Sequence, residues 1–530
     1  MKNNLTRVFN TTLNNKNLQL KMNFNTEIYV KDDGKVQLVE NLIEEMNLNK
    51  LKSTYSGKGR SPVVNPVTML KVLLFCYSEG VFSCRDIEKM CRYDLRVIYL
   101  LDGQPAPNYS TINRFRKRLQ PLSENILEQF INILLEDKHI DLSSIYIDGT
   151  KIEANANKYT FVWRKSVERY QKNLKEKIIK EFNMDENSNL GDVTKFLKYQ
   201  FNSIRNICRE KKIKFVFGRG RAKTEEQRKY ELYEGWIKKL KEYARHLEIM
   251  GERNSYSKTD NDATFMRMKD DHMRNGQLKP GYNIQFATTG QFIVGAYGSH
   301  HPNDVYTLIP FVESLSSKYE DKLLKVVADS GYEGIENYAY LAKKNLKPFI
   351  KPLNYERKKK RKYKREIGRR ENMIYHEEGD YYECKNKKKL LRQKDKLHRR
   401  KTGYVQTLRV YRCDECKDCP YNKECVKYSK KENPESKTVK FSKEFEEYRK
   451  VSEENITSKE GIDERINRSI QAEGVFSKLK DGLGYTRFRH IGLKNILSEI
   501  NLMAVAININ TLHNKLVKNN TEIIRYKKAS

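Results

Sequence analysis

Three acidic residues have the surroundings expected of a site that binds divalent cations. Asp148 ends the strand-like run 144–148, and Asp329 ends a second such run at 324–329. Glu473 lies in a helical stretch, 466–479, that is rich in basic and polar residues. Two carboxylates at strand ends and a third from a helix can hold two cations, which in-line phosphoryl transfer uses to stabilise the attacking and leaving oxygens. The sequence therefore predicts phosphoryl-transfer chemistry.

Each carboxylate taken singly also has an ordinary explanation. Asp-Gly after a strand is a common turn signal, and a Glu on a basic helix is often half of a surface ion pair. The joint pattern is more specific, because Lys480 follows Glu473 on the same predicted helical face, where it can hold a phosphate beside the cations. Arg468 lies on the approach to that helix. We therefore treat Arg468 and Lys480 as candidate DNA contacts.

The charge of the chain indicates a polyanionic partner. The 530 residues include 103 Lys and Arg against 69 Asp and Glu, a formal net charge of +34. Cations that meet phosphates release counterions, which gives salt-sensitive affinity for nucleic acid; a Lys- and Asn-rich proteome is the alternative explanation. No uninterrupted apolar run reaches membrane-spanning length, and residues 1–20 are dominated by Asn, Lys and Thr. We expect a soluble intracellular protein that binds double-stranded DNA and no membrane.

Five of the nine cysteines fall between residues 384 and 425. Four of them have the spacing C-x2-C-x2-C-x5-C, and Cys384 ends a strand that can pair beside the first. Thiolates this close suit tetrahedral zinc, although the spacing is not the usual pair of C-x2-C knuckles. Reduced thiols without metal and iron–sulfur ligation are the alternatives. We expect a structural zinc site formed by Cys413, Cys416, Cys419 and Cys425, with Cys384 as a further candidate ligand.

Short helical patterns fill the N-terminal part, from Val67 to about Leu135. One of them, Thr111–Leu119, is preceded by Ser110 as a predicted cap and has an apolar stripe at 112, 115 and 119. The rest of its surface is basic. It is either a recognition helix of a helix-turn-helix motif or a solvated basic face. Its candidate DNA contacts are Arg114, Arg116, Lys117 and Arg118.

The remainder has an α/β pattern with mixed strand pairing. Strand-like runs at 282–286 and 292–296 form a predicted hairpin, and helices alternate with strands from 304 to 350. Long polar helices at 164–250 must fold as a separate insertion. The run 357–370 is strongly basic and without apolar periodicity, so we expect it to be exposed and to hold DNA phosphates. Its candidate contacts are Arg357, Lys359, Arg361 and Lys362.

These patterns give the predicted domains. We expect a helical N-terminal domain at 1–140, a catalytic domain formed by 141–160, 276–352 and 460–515, a helical insertion at 161–275, and a small β-rich, basic, cysteine-containing insertion at 353–459.

Three segments resemble the DDE transposases of bacterial insertion sequences. They are 146–157 (YIDGTKIEANAN), 326–332 (VVADSGY) and 471–480 (QAEGVFSKLK), and the resemblance extends from about residue 60 to 512. It implies a ribonuclease H-like catalytic domain, a mixed sheet flanked by helices, in which Asp148, Asp329 and Glu473 bind two Mg2+ or Mn2+ ions.

The best-known branch of that family also places a Tyr, an Arg, the catalytic Glu and a Lys at fixed helical spacing. Lys480 fits the Lys position. Ile466 and Ser469 occupy the Tyr and Arg positions, although Arg468 lies one residue away. These departures weaken the case for a phosphate clamp like that of the best-known branch, and they do not affect the three acidic residues.

The resemblance implies a DNA transposase that binds its terminal inverted repeats, cleaves the backbone and joins the 3′ ends to target DNA. We expect it to work in the bacterial cytoplasm, associated with the nucleoid, as a homodimer in the DNA complex. The alternatives are a metal-dependent nuclease of the same fold and a catalytically silent DNA-binding protein derived from a transposase.

Overall fold

The computed structural model describes residues 30, 33–56, 61–218, 220, 222–268, 276–319, 322–427 and 434–519. The chain divides into two compact units, residues 1–118 and 119–530. The first unit is helical where it is described. Its helices are α1 (Gly34–Glu45), α2 (Asn49–Lys52), α3 (Pro66–Ser78), α4 (Cys84–Tyr93), α5 (Leu95–Leu100) and α6 (Tyr109–Leu119), the last of which ends one residue into the second unit.

Helix α6 differs from its prediction in two respects. It begins two residues earlier, at Tyr109, and Asn108 rather than Ser110 provides the cap, since its Oδ1 accepts a hydrogen bond from the Ser110 N–H at 2.9 Å. The predicted apolar stripe is buried. Arg116 was expected on the exposed basic face, and that expectation is wrong: its guanidinium is buried, donates to the carbonyl of Phe82 at 3.0 Å and lies over the Tyr77 ring.

The second unit combines helices and strands. Its first half contains α7 (Ser123–Glu136), β1 (Ser144–Glu153), β2 (Phe161–Trp163), α8 (Arg164–Glu181), α9 (Leu190–Glu210), α10 (Glu225–Met250), β3 (Ser255–Ser257), β4 (Thr264–Arg267), β5 (Leu278–Thr289), β6 (Phe292–Ser299), α11 (Leu308–Tyr319), β7 (Lys325–Ala328), α12 (Ile335–Lys343) and β8 (Lys347–Ile350). Its second half contains α13 (Tyr355–Lys359), α14 (Arg361–Arg365), β9 (Ile374–His376), β10 (Tyr381–Glu383), β11 (Lys389–Arg399), β12 (Val405–Cys413), α15 (Asn422–Cys425), β13 (Lys437–Phe441), α16 (Lys443–Thr457), α17 (Lys459–Arg468), α18 (Gly474–Ser477) and α19 (Leu493–Val517).

The central sheet is mixed, which confirms the predicted α/β class. Its strand order is β4-β5-β1-β7-β8, and β6 pairs with the same edge of β5 as β4 does, further along the strand. β1 is antiparallel to β5 and parallel to β7, and β7 is parallel to β8. The short strands β7 and β8 are mostly apolar and buried, as parallel strands covered on both faces require.

Two helices hold specific positions on this sheet. Helix α19 packs on β6, where Asn508 donates to the carbonyl of Ile293 and accepts from its N–H, each at 2.8 Å. Helix α17 packs on β1, where the buried carboxylate of Glu464 accepts from Ser144 Oγ at 2.9 Å and from Tyr146 Oη at 2.6 Å. None of the described helices is long and apolar enough to cross a membrane.

Two further parts of the second unit have cores of their own. Helices α8, α9 and α10 pack around an apolar cluster that includes Ile178, Val193, Leu197 and Leu240. Strands β9–β13 form an antiparallel sheet in the order β13-β12-β11-β10-β9. The core of this second sheet includes the side chains of Tyr382, Leu390, Tyr411 and Cys413.

Candidate active site

Asp148 and Asp329 lie side by side on neighbouring parallel strands. The last register pair between β1 and β7 is Ile147 with Ala328, so the two aspartates are the next residues on their strands. Neighbouring strands lie about 4.8 Å apart. Asp329 follows the end of β7 as predicted, whereas β1 continues past Asp148 to Glu153, paired with β5. The topology thus brings two carboxylates together although 180 residues separate them in the sequence.

Glu473 reaches the same place from the helix that follows α17. The Arg468 guanidinium lies between two carboxylates, with its nitrogens 3.8 Å from Asp148 Oδ2 and 3.8 Å from Glu473 Oε1. Phe476, one turn beyond Glu473, stacks on Phe286 with ring centroids 5.3 Å apart, and Phe286 is the register partner of Asp148 on β5. These contacts place Glu473 beside Asp148.

A π-helical turn, Ser469–Glu473, explains how Arg468 comes to face Glu473. In an α-helix a residue faces those three or four positions away, and the residue four positions before Glu473 is Ser469. A π turn is wider, because its backbone hydrogen bonds join residues five positions apart, and this brings Arg468 onto the Glu473 face. Lys480 lies in a second π turn, Lys478–Gly482, and is half-buried. The helix predicted over 466–479 is therefore present, with two irregular turns that the sequence pattern does not reveal.

Two positions beside the aspartates require glycine, because neighbouring side chains occupy the space that a Cβ would need. A Cβ on Gly149 would lie 2.3 Å from the side-chain Nε2 of Gln285, its register partner on β5. A Cβ on Gly331 would lie 2.9 Å from Asp329 Oδ1 and 3.3 Å from Asp304 Oδ2. The Asp-Gly and Asp-Ser-Gly motifs therefore leave space for neighbouring polar side chains.

Asp304 is a further carboxylate at this site and was not among the sequence candidates. Burial, and next the negative charges of Asp304 and Asp148, raise the pKa of the Tyr332 hydroxyl well above its ordinary value. The carboxylates therefore lie close to one buried phenol. The signal in the sequence is the pair of amides, Asn283 and Gln285, which alternate with Tyr282, Ile284 and Phe286 in β5.

Seven of the candidate DNA contacts are exposed cations, and they form two groups. In α6, Arg114, Lys117 and Arg118 are exposed, and Arg118 stacks on Tyr55 at 4.1 Å. In α13 and α14, Arg357, Lys359, Arg361 and Lys362 are exposed, as are Lys364 and Arg365.

We expected the whole basic run 357–370 to be exposed, and this expectation is wrong for its C-terminal part. Tyr363 is buried, and Arg370 pairs with Glu446 at 3.0 Å and lies over the Phe441 ring at 4.0 Å. The C-terminal end of the run therefore packs against β13 and α16. The exposed cations are concentrated before residue 366.

The five clustered cysteines line one cavity beside the second sheet. Burial, and next the nearby Cys413, raise the pKa of the Cys416 thiol to about 12. Burial likewise raises the pKa of the Cys425 thiol. Their donor chemistry fits zinc. Nevertheless, no three His, Cys, Asp or Glu side chains form a ready-made metal site within the described residues, either here or at the three carboxylates.

Two family models match the chain. The first, described as Transposase DDE domain, matches residues 383–513 and includes Glu473. The second, described as Transposase domain (DUF772), matches residues 24–118. The region between them, which carries Asp148 and Asp329, lies outside both matches. No curated protein and no solved structure matches the chain. Together the two matches support a DDE transposase of the insertion-sequence type.

The crowding at Gly149 gives a stability prediction. We expect Gly149→Ala to lower the free energy of unfolding by about 1–3 kcal/mol, because the new methyl group displaces the buried Gln285 amide from its hydrogen bonds. Urea unfolding of the purified protein measures this.

Gly235→Ala is the matched control, because Gly235 lies inside α10 with no atom within 4 Å of the added Cβ. It should raise stability by roughly 0.5–1 kcal/mol. If Gly149→Ala unfolds like the wild type, the crowding described for this glycine is wrong.

Proposed function

We propose that this chain, a DDE transposase of the insertion-sequence type by its family matches, binds the ends of its own element, cleaves the DNA backbone there and joins the 3′ ends to target DNA. The observation that carries the proposal is the adjacent placement of Asp148 and Asp329 in the β1–β7 register, with Arg468 linking Asp148 to Glu473. A transposase belongs to the polynucleotidyl transferases, and its family acts on DNA.

The strand order supports a ribonuclease H-like arrangement of the catalytic domain. Strands β6, β5 and β1 are successively antiparallel, and β1, β7 and β8 are successively parallel. The two aspartates lie on the central pair, β1 and β7. In this proposal the segments 161–275 and 353–459 are insertions into that domain. The helical N-terminal domain, predicted at 1–140, is the separate unit 1–118, because α7 belongs to the second unit.

Asp148, Asp329 and Glu473 are the residues that would hold Mg2+ or Mn2+, since hard divalent cations prefer carboxylate oxygens. Two such cations supply charge stabilisation at the attacking and leaving oxygens of phosphoryl transfer. The protein's own residues then orient the DNA. Arg468 already faces Asp148 and Glu473, and its planar guanidinium carries several N–H donors, so it is well placed to take a phosphate oxygen. Lys480 would hold a second phosphate further along the same helix.

The exposed cations on α13 and α14 would hold phosphates without reading bases. Tyr355, which begins α13, lies near α17: the Arg465 guanidinium is 6.0 Å from its ring centre, and Arg465 is three residues before Arg468. The exposed cations of α13 and α14 would therefore lie close to the proposed cleavage point. The exposed face of α6 is the proposed base-reading element, with Arg114, Lys117 and Arg118 as its contacts. Arg116 is buried and is not one of them.

We further propose that Cys413, Cys416, Cys419 and Cys425 bind one structural zinc ion, with Cys384 as an alternative ligand. Convergence of all five thiols on one cavity supports this. Zinc favours the thiolate, so binding would displace the protons that the raised pKa of Cys416 retains.

The alternatives are a nuclease that cuts without joining and a DNA-binding protein without activity. The placement of all three acidic residues beside the carboxyl end of β7 favours an enzyme over the silent DNA-binding protein. A strand-transfer assay with labelled element ends separates the three, because a nuclease yields cut ends alone and a silent protein yields neither product.

Replacing Asp148, Asp329 or Glu473 with Ala should abolish Mn2+-dependent cleavage and joining while DNA binding persists, because each change removes a cation ligand and no phosphate contact. Cleavage and joining are followed with labelled DNA, and binding by fluorescence anisotropy. Glu378→Ala, an exposed carboxylate in the β9–β10 turn, is the control. Substantial cleavage by any of the three variants would remove that residue from the site.

The purified protein should contain about one zinc ion per chain. Cys416→Ser and Cys419→Ser should each lower both the zinc content, measured by mass spectrometry of the metal, and the melting temperature. Cys208→Ser, in the core of α8–α10, removes a thiol elsewhere and should leave the zinc content unchanged. A folded, active preparation that retains no metal after dialysis would contradict the zinc site.

A further inference from the structure

A buried polar network lies directly beside Asp148 and Asp329. Tyr332 Oη donates to Gln285 Oε1. Gln285 Nε2 in turn donates to Asn283 Oδ1 at 3.0 Å and to Asp304 Oδ1 at 3.1 Å. Asn283 Nδ2 also donates to Asp304 Oδ1, at 2.7 Å. The network therefore runs from a phenol to two amides and ends on one carboxylate oxygen.

The network touches both strands that carry the aspartates. Gln285 is opposite Gly149 in the register, and its amide fills the space that a side chain on Gly149 would need. Tyr332 follows Asp329 by three residues, in the helical turn that Asp329 caps through its hydrogen bond from the Gly331 N–H at 2.7 Å. Gln285, Asn283 and Tyr332 are each at most 1% exposed, so these hydrogen bonds are shielded from water.

Asp304 joins this network to the Asp329 turn. It begins the short helical turn Asp304–Tyr306 after β6, and both of its hydrogen bonds from the amides go to Oδ1. Its Oδ2 faces Gly331, 3.3 Å from where a Cβ would lie, on the side where Asp329 Oδ1 lies at 2.9 Å. The Asp304 carboxylate thus accepts hydrogen bonds from the Gln285 and Asn283 amides and lies against the turn that contains Asp329.

We propose that Asp304 is a positioning residue for the cation site: as the shared acceptor of the two amides, it fixes Gln285 against Gly149 and fixes the Asp329 turn. The spacing of the two aspartates then depends on it. The inference rests on the proposed function, since it concerns the same carboxylates. Outer residues that orient metal ligands commonly alter cation affinity by about 10–100-fold when removed.

The test compares three variants with the wild type by titrating MnCl2 into DNA-free protein and following free Mn2+ by electron paramagnetic resonance. Asp304→Ala removes the acceptor and should weaken Mn2+ binding about tenfold or more. Asp304→Asn keeps an acceptor oxygen for both amides and should restore the affinity to within about twofold of the wild type. Glu313→Ala, an exposed carboxylate on α11, is the control for loss of negative charge. Thermal melting of each variant establishes that it is folded.

Tyr332→Phe tests the opposite end of the network, so the proposal stays testable if Asp304→Ala fails to fold. It removes one hydroxyl, leaves the acidic residues in place and should also weaken Mn2+ binding. Unchanged affinity in Asp304→Ala, or in Tyr332→Phe when Asp304→Ala is unfolded, would overturn the proposal. Equal weakening in Asp304→Asn and Asp304→Ala would also overturn it, since the charge rather than the hydrogen bonds would then be required. Strand transfer by the wild type is measured separately, so a failure of the proposed function is distinguishable from a failure of this inference.

Discussion

The buried carboxylate of Glu464 is the interaction on which the geometry of the candidate site depends. A carboxylate removed from water is costly unless hydrogen bonds and opposite charge compensate it. Here Ser144 and Tyr146 donate to it from β1, and Lys325 Nζ on β7 lies 3.4 Å away. Hydrogen bonds to charged groups contribute roughly 1.5–3 kcal/mol each. Any sliding of α17 along β1 would leave this carboxylate uncompensated, so the helix has one favoured register.

That register determines which residues meet beside the carboxyl end of β7. Ser144, Tyr146 and Asp148 alternate along β1 and therefore point to the same face of the sheet. Glu464 meets the first two, and Arg468, one helical turn later, meets Asp148. The π turn then brings Glu473 to the other side of the same guanidinium. Helix α17 is held on β1 by the buried carboxylate of Glu464. The turn that follows it therefore places Glu473 near Asp148 on β1 and Asp329 after β7. Arg468 compensates part of the negative charge of Asp148 and Glu473.

The sequence was sufficient to predict the elements that follow simple periodicities. The strands of Asp148 and Asp329, the helix of Glu473, the β5–β6 hairpin and the mixed α/β class all follow from alternating or helical apolar patterns. It was insufficient where tertiary contacts override the pattern. Arg116 is basic and occupies a basic helix, yet its guanidinium satisfies a buried carbonyl. The two π turns flank Phe476, which stacks on Phe286 of a strand far away in the sequence. Asp304 enters the site through hydrogen bonds to Asn283 and Gln285 on β5. Neither kind of information is present in a local window.

We propose that the segments around Asp148, Asp329 and Glu473 meet at one cation site. Iron-directed cleavage tests it most directly: Fe2+ replaces the native cation, and hydroxyl radicals made with ascorbate and peroxide cut the backbone nearest the bound iron. Mass spectrometry then locates the cuts. We expect cuts in all three segments, near residues 148, 329 and 473, and we expect all of them to be lost in Asp148→Ala. Cuts in one segment alone, or cuts that persist unchanged in that variant, would contradict it.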